Sequence, residues 1–231
     1  MTRRKPRGIN GLVIMNAGVE KAEFIPDELP TDKAGIEREM CAGAVRAMLF
    51  HGWRVWPLDG EPRQLAENDF DFAFETAGEA EYLDLAEVAP LKGVQGGYEG
   101  VPTTFTRGKL ERAIMRLVER KGLHYGSSRR AKVHLLLYIT DFRFLVSDGV
   151  VMLLKVALRR NHHGFASISY FAPIGSESGL LHVLYPAPDG VPYLSRYDEA
   201  RMREGMVTNS DPRAWRYDPE RGGFFVELPK S

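Results

Sequence analysis

The segment Asn68 to Leu91, NDFDFAFETAGEAEYLDLAEVAPL, constrains the fold of this chain more than any other. Between Leu65 and Pro90 there are eight acidic residues and no basic one. DFDFAFET alternates strictly and EYLDLAEV alternates again, the period of strands with one buried face. In the first strand Phe70, Phe72 and Phe74 share one face, and Asp69, Asp71, Ala73 and Glu75 the other. In the second, Leu83 and Leu85 share one face, and Tyr82, Asp84, Ala86 and Val88 the other. A turn centred on Gly78 and Glu79 joins the Phe face to the Leu face and sets Asp71 and Asp84 on the opposite one. A one-residue slip would reverse that assignment. Two readings of the acidic face stand. It is a solvated sheet face, as antiparallel hairpins commonly have, or it is a cation site. Like charges on adjacent strands repel, and a divalent cation that favours carboxylate oxygens, Mg²⁺ or Mn²⁺, would relieve them.

The flanking segments supply helices and further strands. Ile36, Met40, Ala44, Val45 and Met48 recur at helical spacing, with Thr31 or Asp32 as cap and Gly52 just past the end. Glu37 falls in the first turn, where the helix dipole favours a carboxylate. WRVWPL, from Trp53, reads as a short strand. A Gly- and Pro-rich loop from Ala89 to Thr106 precedes the clearest helix, RGKLERAIMRLVERKG. Its core stripe is Leu110, Ala113, Ile114, Leu117 and Val118. Lys109, Arg112, Arg116 and Arg120 point away, and Gly122 ends it. AKVHLLLYIT is a continuous apolar run, as in a central strand covered on both faces. A helix from about Gly149 to Arg160 and the strands FASISYFAPIG and LLHVLYP follow. Hairpin strands beside crossover helices indicate an α/β (α+β) fold, a mixed central sheet flanked by helices. The expected division is a basic N-terminal arm and strand over 1–34, the α/β core over 35–185, and an irregular C-terminal extension over 186–231. That extension is expected to be held down by Tyr193, Tyr197, Trp215 and Phe224 to Val226.

Composition narrows the compartment. The chain has 231 residues and zero formal net charge, and that zero hides segregation. Phe105 to His134 carries nine Lys and Arg against Glu111 and Glu119, and the acidic block precedes it. Such asymmetry suits an acidic site beside a basic binding surface, or two solvated faces. A single cysteine, Cys41, excludes an intramolecular disulfide framework and fits a reducing, cytoplasmic setting. No apolar run reaches the roughly 18 residues that span a bilayer, so no membrane partner is expected. The apolar stretch Gly11 to Met15 is too short for a secretory signal.

A helix with Glu37, then FDF around Asp71, then YLDLAEV, then an amphipathic helix and the strand VHLLLYIT resembles the core of the restriction-endonuclease-like, PD-(D/E)xK nucleases. The resemblance covers roughly Gly35 to Thr140. It implies that Asp71 and Asp84 bind Mg²⁺ (or Mn²⁺), with Glu37 as an additional ligand. A Lys two residues after the second acid would position or activate the attacking water, and here that place holds Ala86. Glu87 entering through a bulge, or a Lys from elsewhere such as Lys92 or Lys109, would complete the site. Otherwise only the fold remains. On this resemblance the catalytic set is Asp71, Asp84 and Glu87, and the chemistry is metal-assisted phosphodiester hydrolysis in DNA or RNA. Lys109, Arg112, Arg116 and Arg120 are the candidate nucleic-acid contacts; their alternative is an ordinary solvated helix face. The competing function is a catalytically inactive subunit of the same fold, binding nucleic acid, a protein partner or a second copy of itself.

Other motifs are weaker. NHHG, Asn161 to Gly164, reads as a helix C-terminus capped by Gly164, and His134 as a satisfied sheet residue. YGSSRRAKVHLLLYITDFRF echoes a nucleotidyltransferase through Gly126, Ser127 and Asp141. Arg143 replaces its second acid, and two-metal transfer needs both. GSES, Gly175 to Ser178, reads as a hairpin turn.

Overall fold

The computed structural model describes residues 29–56, 60–65, 70–76, 79–89, 100, 102, 104–174, 178–191, 193–208, 215–218 and 223–226. Most of the expected N-terminal arm, Lys92, and the Gly78 side of the hairpin turn lie outside these residues. In chain order the elements are α1 (Lys33–Phe50), β1 (Arg63–Gln64), β2 (Phe72–Thr76), β3 (Glu79–Glu87), β4 (Thr104–Thr106), α2 (Arg107–His124), α3 (Ser127–Arg130), β5 (Val133–Tyr138) and α4 (Asp148–Arg160). They continue with β6 (Ser167–Ile174), β7 (Ser178–Tyr185), α5 (Arg196–Glu204), β8 (Met206–Thr208), β9 (Trp215–Asp218) and β10 (Gly223–Val226).

Six strands make one mixed sheet in the order β1-β2-β3-β5-β6-β7. The outer pairs are antiparallel hairpins, and β3, β5 and β6 run parallel. Parallel neighbours need crossovers; α2 lies between β3 and β5 in the chain, and α4 between β5 and β6. Both pack on the same face of the sheet, with Leu110, Ile114, Val150 and Leu154 joining Val133, Leu135 and Leu137 of β5 in one core. The opposite face is covered by α1, whose Ile36, Met40, Ala44 and Met48 meet Phe72, Phe74, Leu83, Leu85, Leu136 and Phe171. The result is helix, sheet, helix, the layering expected when a sheet is apolar on both sides. Every residue of β5 is buried, as its unbroken apolar run requires.

α1 is capped by Asp32, whose Oδ1 accepts the Gly35 N–H at 2.7 Å, and the turn after it uses Gly52 at φ 65°. Gly43 lets α1 lie close on the sheet: a Cβ there would meet the Phe171 ring at 2.7 Å. Glu37 is the fifth helical residue, beyond the first turn, so its partner is Lys33 one turn back rather than the helix dipole.

In the acidic hairpin Phe72 pairs with Leu83 and Thr76 with Glu79, so residues 77 and 78 join the strands. The turn is thus centred one residue earlier than expected. That moves the register by two, and an even shift leaves every side chain on its assigned face. Phe70 departs from the pattern. It precedes β2 at a bend and packs into the α2-facing core, away from Phe72 and Phe74.

Other segments differ from expectation for physical reasons. Trp53 to Trp56 form no strand; Trp56 is instead buried beneath α1. Gly122 does not end α2, which continues to His124; it is buried where a larger side chain would approach Phe165. Residues 142–144 form a 3-10 turn, because the Asp141 carboxylate accepts the Arg143 N–H and holds its guanidinium. α4 ends at Arg160, and Gly164 at φ 76° turns the chain four residues later. The C-terminal region contains a helix, α5, that sits on α2 and α4 through ion pairs. Tyr193 and Tyr197 do not anchor it: they are 94% and 68% exposed. Among the described residues no helix is long and apolar enough to cross a membrane.

Candidate functional site

The β2–β3 ladder stops at Phe72 and Leu83. One residue further, Asp71 and Asp84 face each other where the ladder would continue. The Leu85 N–H has no strand partner there and donates to Asp71 Oδ2 at 2.7 Å. This opening is the floor of a cleft of about 460 Å³. α1 contributes Lys33 and Glu37, and β1 contributes Gln64. The end of α2 adds Arg120, Lys121 and His124, and the aromatic residues are Phe70 and Tyr125. Gln64 ties this wall together. Its amide donates to the Ala34 carbonyl at 3.1 Å, and its Oε1 accepts from the Arg38 guanidinium at 2.9 Å.

At Asp71 and Asp84 the acidic face is therefore not solvated. α2 covers it, and the side chains of Asp84 and Asp71 are only 4% and 15% exposed. Two lysines from outside the hairpin supply the positive charge it lacks. Lys121 Nζ is 2.8 Å from Asp84 Oδ2, and Lys33 Nζ is 3.1 Å from Glu37 Oε1 and 3.9 Å from Asp71 Oδ1. Lys121 approaches Asp84 outside hydrogen-bonding angles, so the buried Oδ2 accepts no hydrogen bond. Three carboxylates against two ammonium groups leave one excess negative charge. Burial, with repulsion from Asp84 and Glu37, pushes the Asp71 carboxyl up to about 7, against the opposing Leu85 hydrogen bond.

That shift makes stability pH-dependent with a definite sign. The folded protein holds a proton on Asp71 that the unfolded chain releases near pH 4. The stabilisation is complete below that pH and is lost as pH rises through about 7. Asp71→Asn keeps an acceptor for Leu85 and removes the charge. It is expected to stabilise the protein above neutral pH by on the order of 3 kcal/mol, and by almost nothing near pH 4. Urea midpoints at the two pH values check this; equal gains at both would refute it.

The structure thus brings Asp71, Asp84 and Glu37 to one cleft and separates them from Glu87. β3 pairs with β5 without a bulge through Glu87 and Tyr138, so Glu87 keeps the face of Leu83 and Leu85. There the Thr140 hydroxyl donates to its carboxylate. Glu37 is held by Lys33, and among the described residues no three His, Cys, Asp or Glu side chains form a metal-holding group. The remaining described acids disperse: Glu79 pairs with Lys132, and Glu81 with His134. Lys109 does not reach the cleft; its ammonium lies 5.9 Å from the Phe105 ring centre. Arg112 and Arg116 are exposed on α2, and only Arg120 of that stripe lines the cleft.

Lys121 and Lys33 are the residues that sequence reasoning missed. Both carried a signal. Lys121 lies four residues after Leu117 and three after Val118, on the inward stripe of α2, and Lys33 lies four residues before Glu37.

Asp71 and Asp84 offer hard oxygen donors of the kind that suits Mg²⁺ or Mn²⁺, one of them the buried Asp84 Oδ2, paired with the Lys121 ammonium alone. Mg²⁺ commonly takes only one or two carboxylates and keeps water in its remaining positions. Elsewhere the polar groups are engaged. Asp141 is fully buried against Arg143 at 2.6 Å, which leaves no second acid for a nucleotidyltransferase pair. His134 bridges Ser167 and Glu81 at 2.7 and 2.6 Å within the sheet. Burial raises the Cys41 thiol to about 12, so it is no nucleophile. No protein-family model, curated protein or solved structure matches the chain.

Proposed function

We propose that this cleft hydrolyses phosphodiester bonds in nucleic acid, with Mg²⁺ or Mn²⁺ held by Asp71 and Asp84, on a restriction-endonuclease-like core. One observation carries the reading: Lys121 of α2 lies 2.8 Å from Asp84 and can supply the ammonium that Ala86 lacks. When bound, the metal supplies Lewis acidity and a water of lowered pKa. The chain's own residues do the rest. Asp84 and Asp71 orient oxygen donors from two strand ends, and the Leu85 N–H fixes the Asp71 carboxylate. Lys121 stands where an ammonium can hold a water or a phosphate oxygen. Arg120 and His124 present donors at the mouth, with Arg116 and Arg112 behind them along α2. A free, buried Cys41 fits a cytoplasmic setting.

A second reading, a non-catalytic subunit that binds nucleic acid or a protein partner, is favoured by the same lysines. They already offset two of the three carboxylate charges without a metal. Cleavage separates the two. Purified protein with Mg²⁺ or Mn²⁺ is expected to cut plasmid or single-stranded DNA or RNA, and Asp84→Ala to reduce cutting to background. Equal residual cleavage by both proteins would point to contamination and sink the nuclease reading.

A further inference from the structure

We infer that the cleft admits single-stranded nucleic acid or an unpaired strand end, and excludes intact duplex. The inference rests on the proposed nuclease reading and adds the substrate class. The acids are nearly covered: the Asp84 and Asp71 side chains are 4% and 15% exposed, and they line a recess together with residues of α1, β1 and the end of α2. A volume of about 460 Å³ suits one nucleotide-sized group. A duplex keeps its phosphates on a convex surface with its bases stacked inside. It cannot bring a phosphate against such covered carboxylates without unstacking, which opposes binding.

The lining matches the alternative. Beside the carboxylates, Leu65 and His124 leave accessible apolar and aromatic surface over the buried rings of Phe70 and Tyr125, and an exposed ring of this kind can stack on an unstacked base. His124 is exposed and meets Tyr125 edge-on, with ring centres 5.1 Å apart. Outside the mouth, Arg112, Arg116 and Arg120 are exposed at four-residue spacing. They rise about 6 Å from one to the next and form a line of cations leading to the cleft, along which a flexible backbone can lie.

The test separates binding from cutting. The full chain is titrated, with Ca²⁺ in place of Mg²⁺, against a labelled short oligothymidylate and a hairpin duplex of equal length, read by fluorescence anisotropy. The single strand is expected to bind at least about tenfold more tightly. Three arginine contacts at ~0.7 each predict a log–log salt slope of about −2. Arg116→Ala, at an exposed position, should lower that slope by about 0.7, and His124→Ala should weaken binding by about tenfold. Equal or tighter duplex binding, or no binding of the single strand, overturns the inference. The two failures differ: strand binding without metal-dependent cutting would sink the nuclease reading alone. Duplex preference with cutting intact would sink this inference alone.

Discussion

Lys121→Met is expected to destabilise the protein by about 2–4 kcal/mol, seen as a lower urea midpoint with an unchanged slope. The reason lies in what remains behind. The Asp84 side chain is 4% exposed and its Oδ2 accepts no hydrogen bond, so Lys121 is its compensating charge. Removing one member of a buried ion pair costs more than the pair itself is worth, because the other charge stays desolvated. Lys121 is 27% exposed, so water can enter where the ammonium was, which places the cost toward the lower part of the usual range. Adding Asp84→Asn to the same chain should recover most of the loss, since no charge is then stranded. Under the nuclease reading Lys121→Met also lowers metal-dependent cleavage by about a hundredfold or more at temperatures where the variant is folded. Unchanged stability would show that Asp84 is neutralised by some other means.

Arg203→Met is the second large effect, about 2–3 kcal/mol with the 35% exposure of the Arg203 side chain taken into account, and it should be felt first by α5. α5 has few apolar residues and is docked by charge. Arg203 donates through Nε and Nη2 to both oxygens of Glu111 on α2, at 2.7 and 2.8 Å, and lies 3.3 Å from Glu199. Arg160 of α4 reaches Glu199 at 2.7 Å. Glu111 and Glu199 are buried, so losing Arg203 leaves Glu111 unpaired and Glu199 with Arg160 alone. Lys at this position should recover little, because an ammonium cannot make the two parallel bonds. Urea melts give the magnitude. Native-state hydrogen exchange should show α5 amides opening before those of β5. Uniform loss of protection across both elements would contradict local undocking.

Much of the fold was legible because side-chain direction follows from local backbone geometry. The alternation in Phe72, Phe74, Leu83 and Leu85 placed these four residues on one face, and the face survived a misplaced turn because the error was even. α1, α2 and α4 were readable from their apolar stripes. α5 was not, since its docking depends on Arg203 meeting Glu111, 92 residues away in sequence. The short run at Trp53 misled for the opposite reason: Trp56 is buried, and Trp53 and Val55 partly so, without joining the sheet.

The candidate site divides in the same way. The sequence alone determined that Asp71 and Asp84 share a face, because strand periodicity leaves no other choice once Phe72 and Leu83 turn inward. It also determined that no basic residue inside the hairpin could balance them. Only the tertiary structure decided that α2 covers that face and that no bulge brings Glu87 onto it. The same packing brings Lys121 and Lys33 to the carboxylates. Periodicity sets where a side chain points relative to its own element. Which charge it meets depends on how the crossover helices pack across the sheet, and that no local pattern encodes.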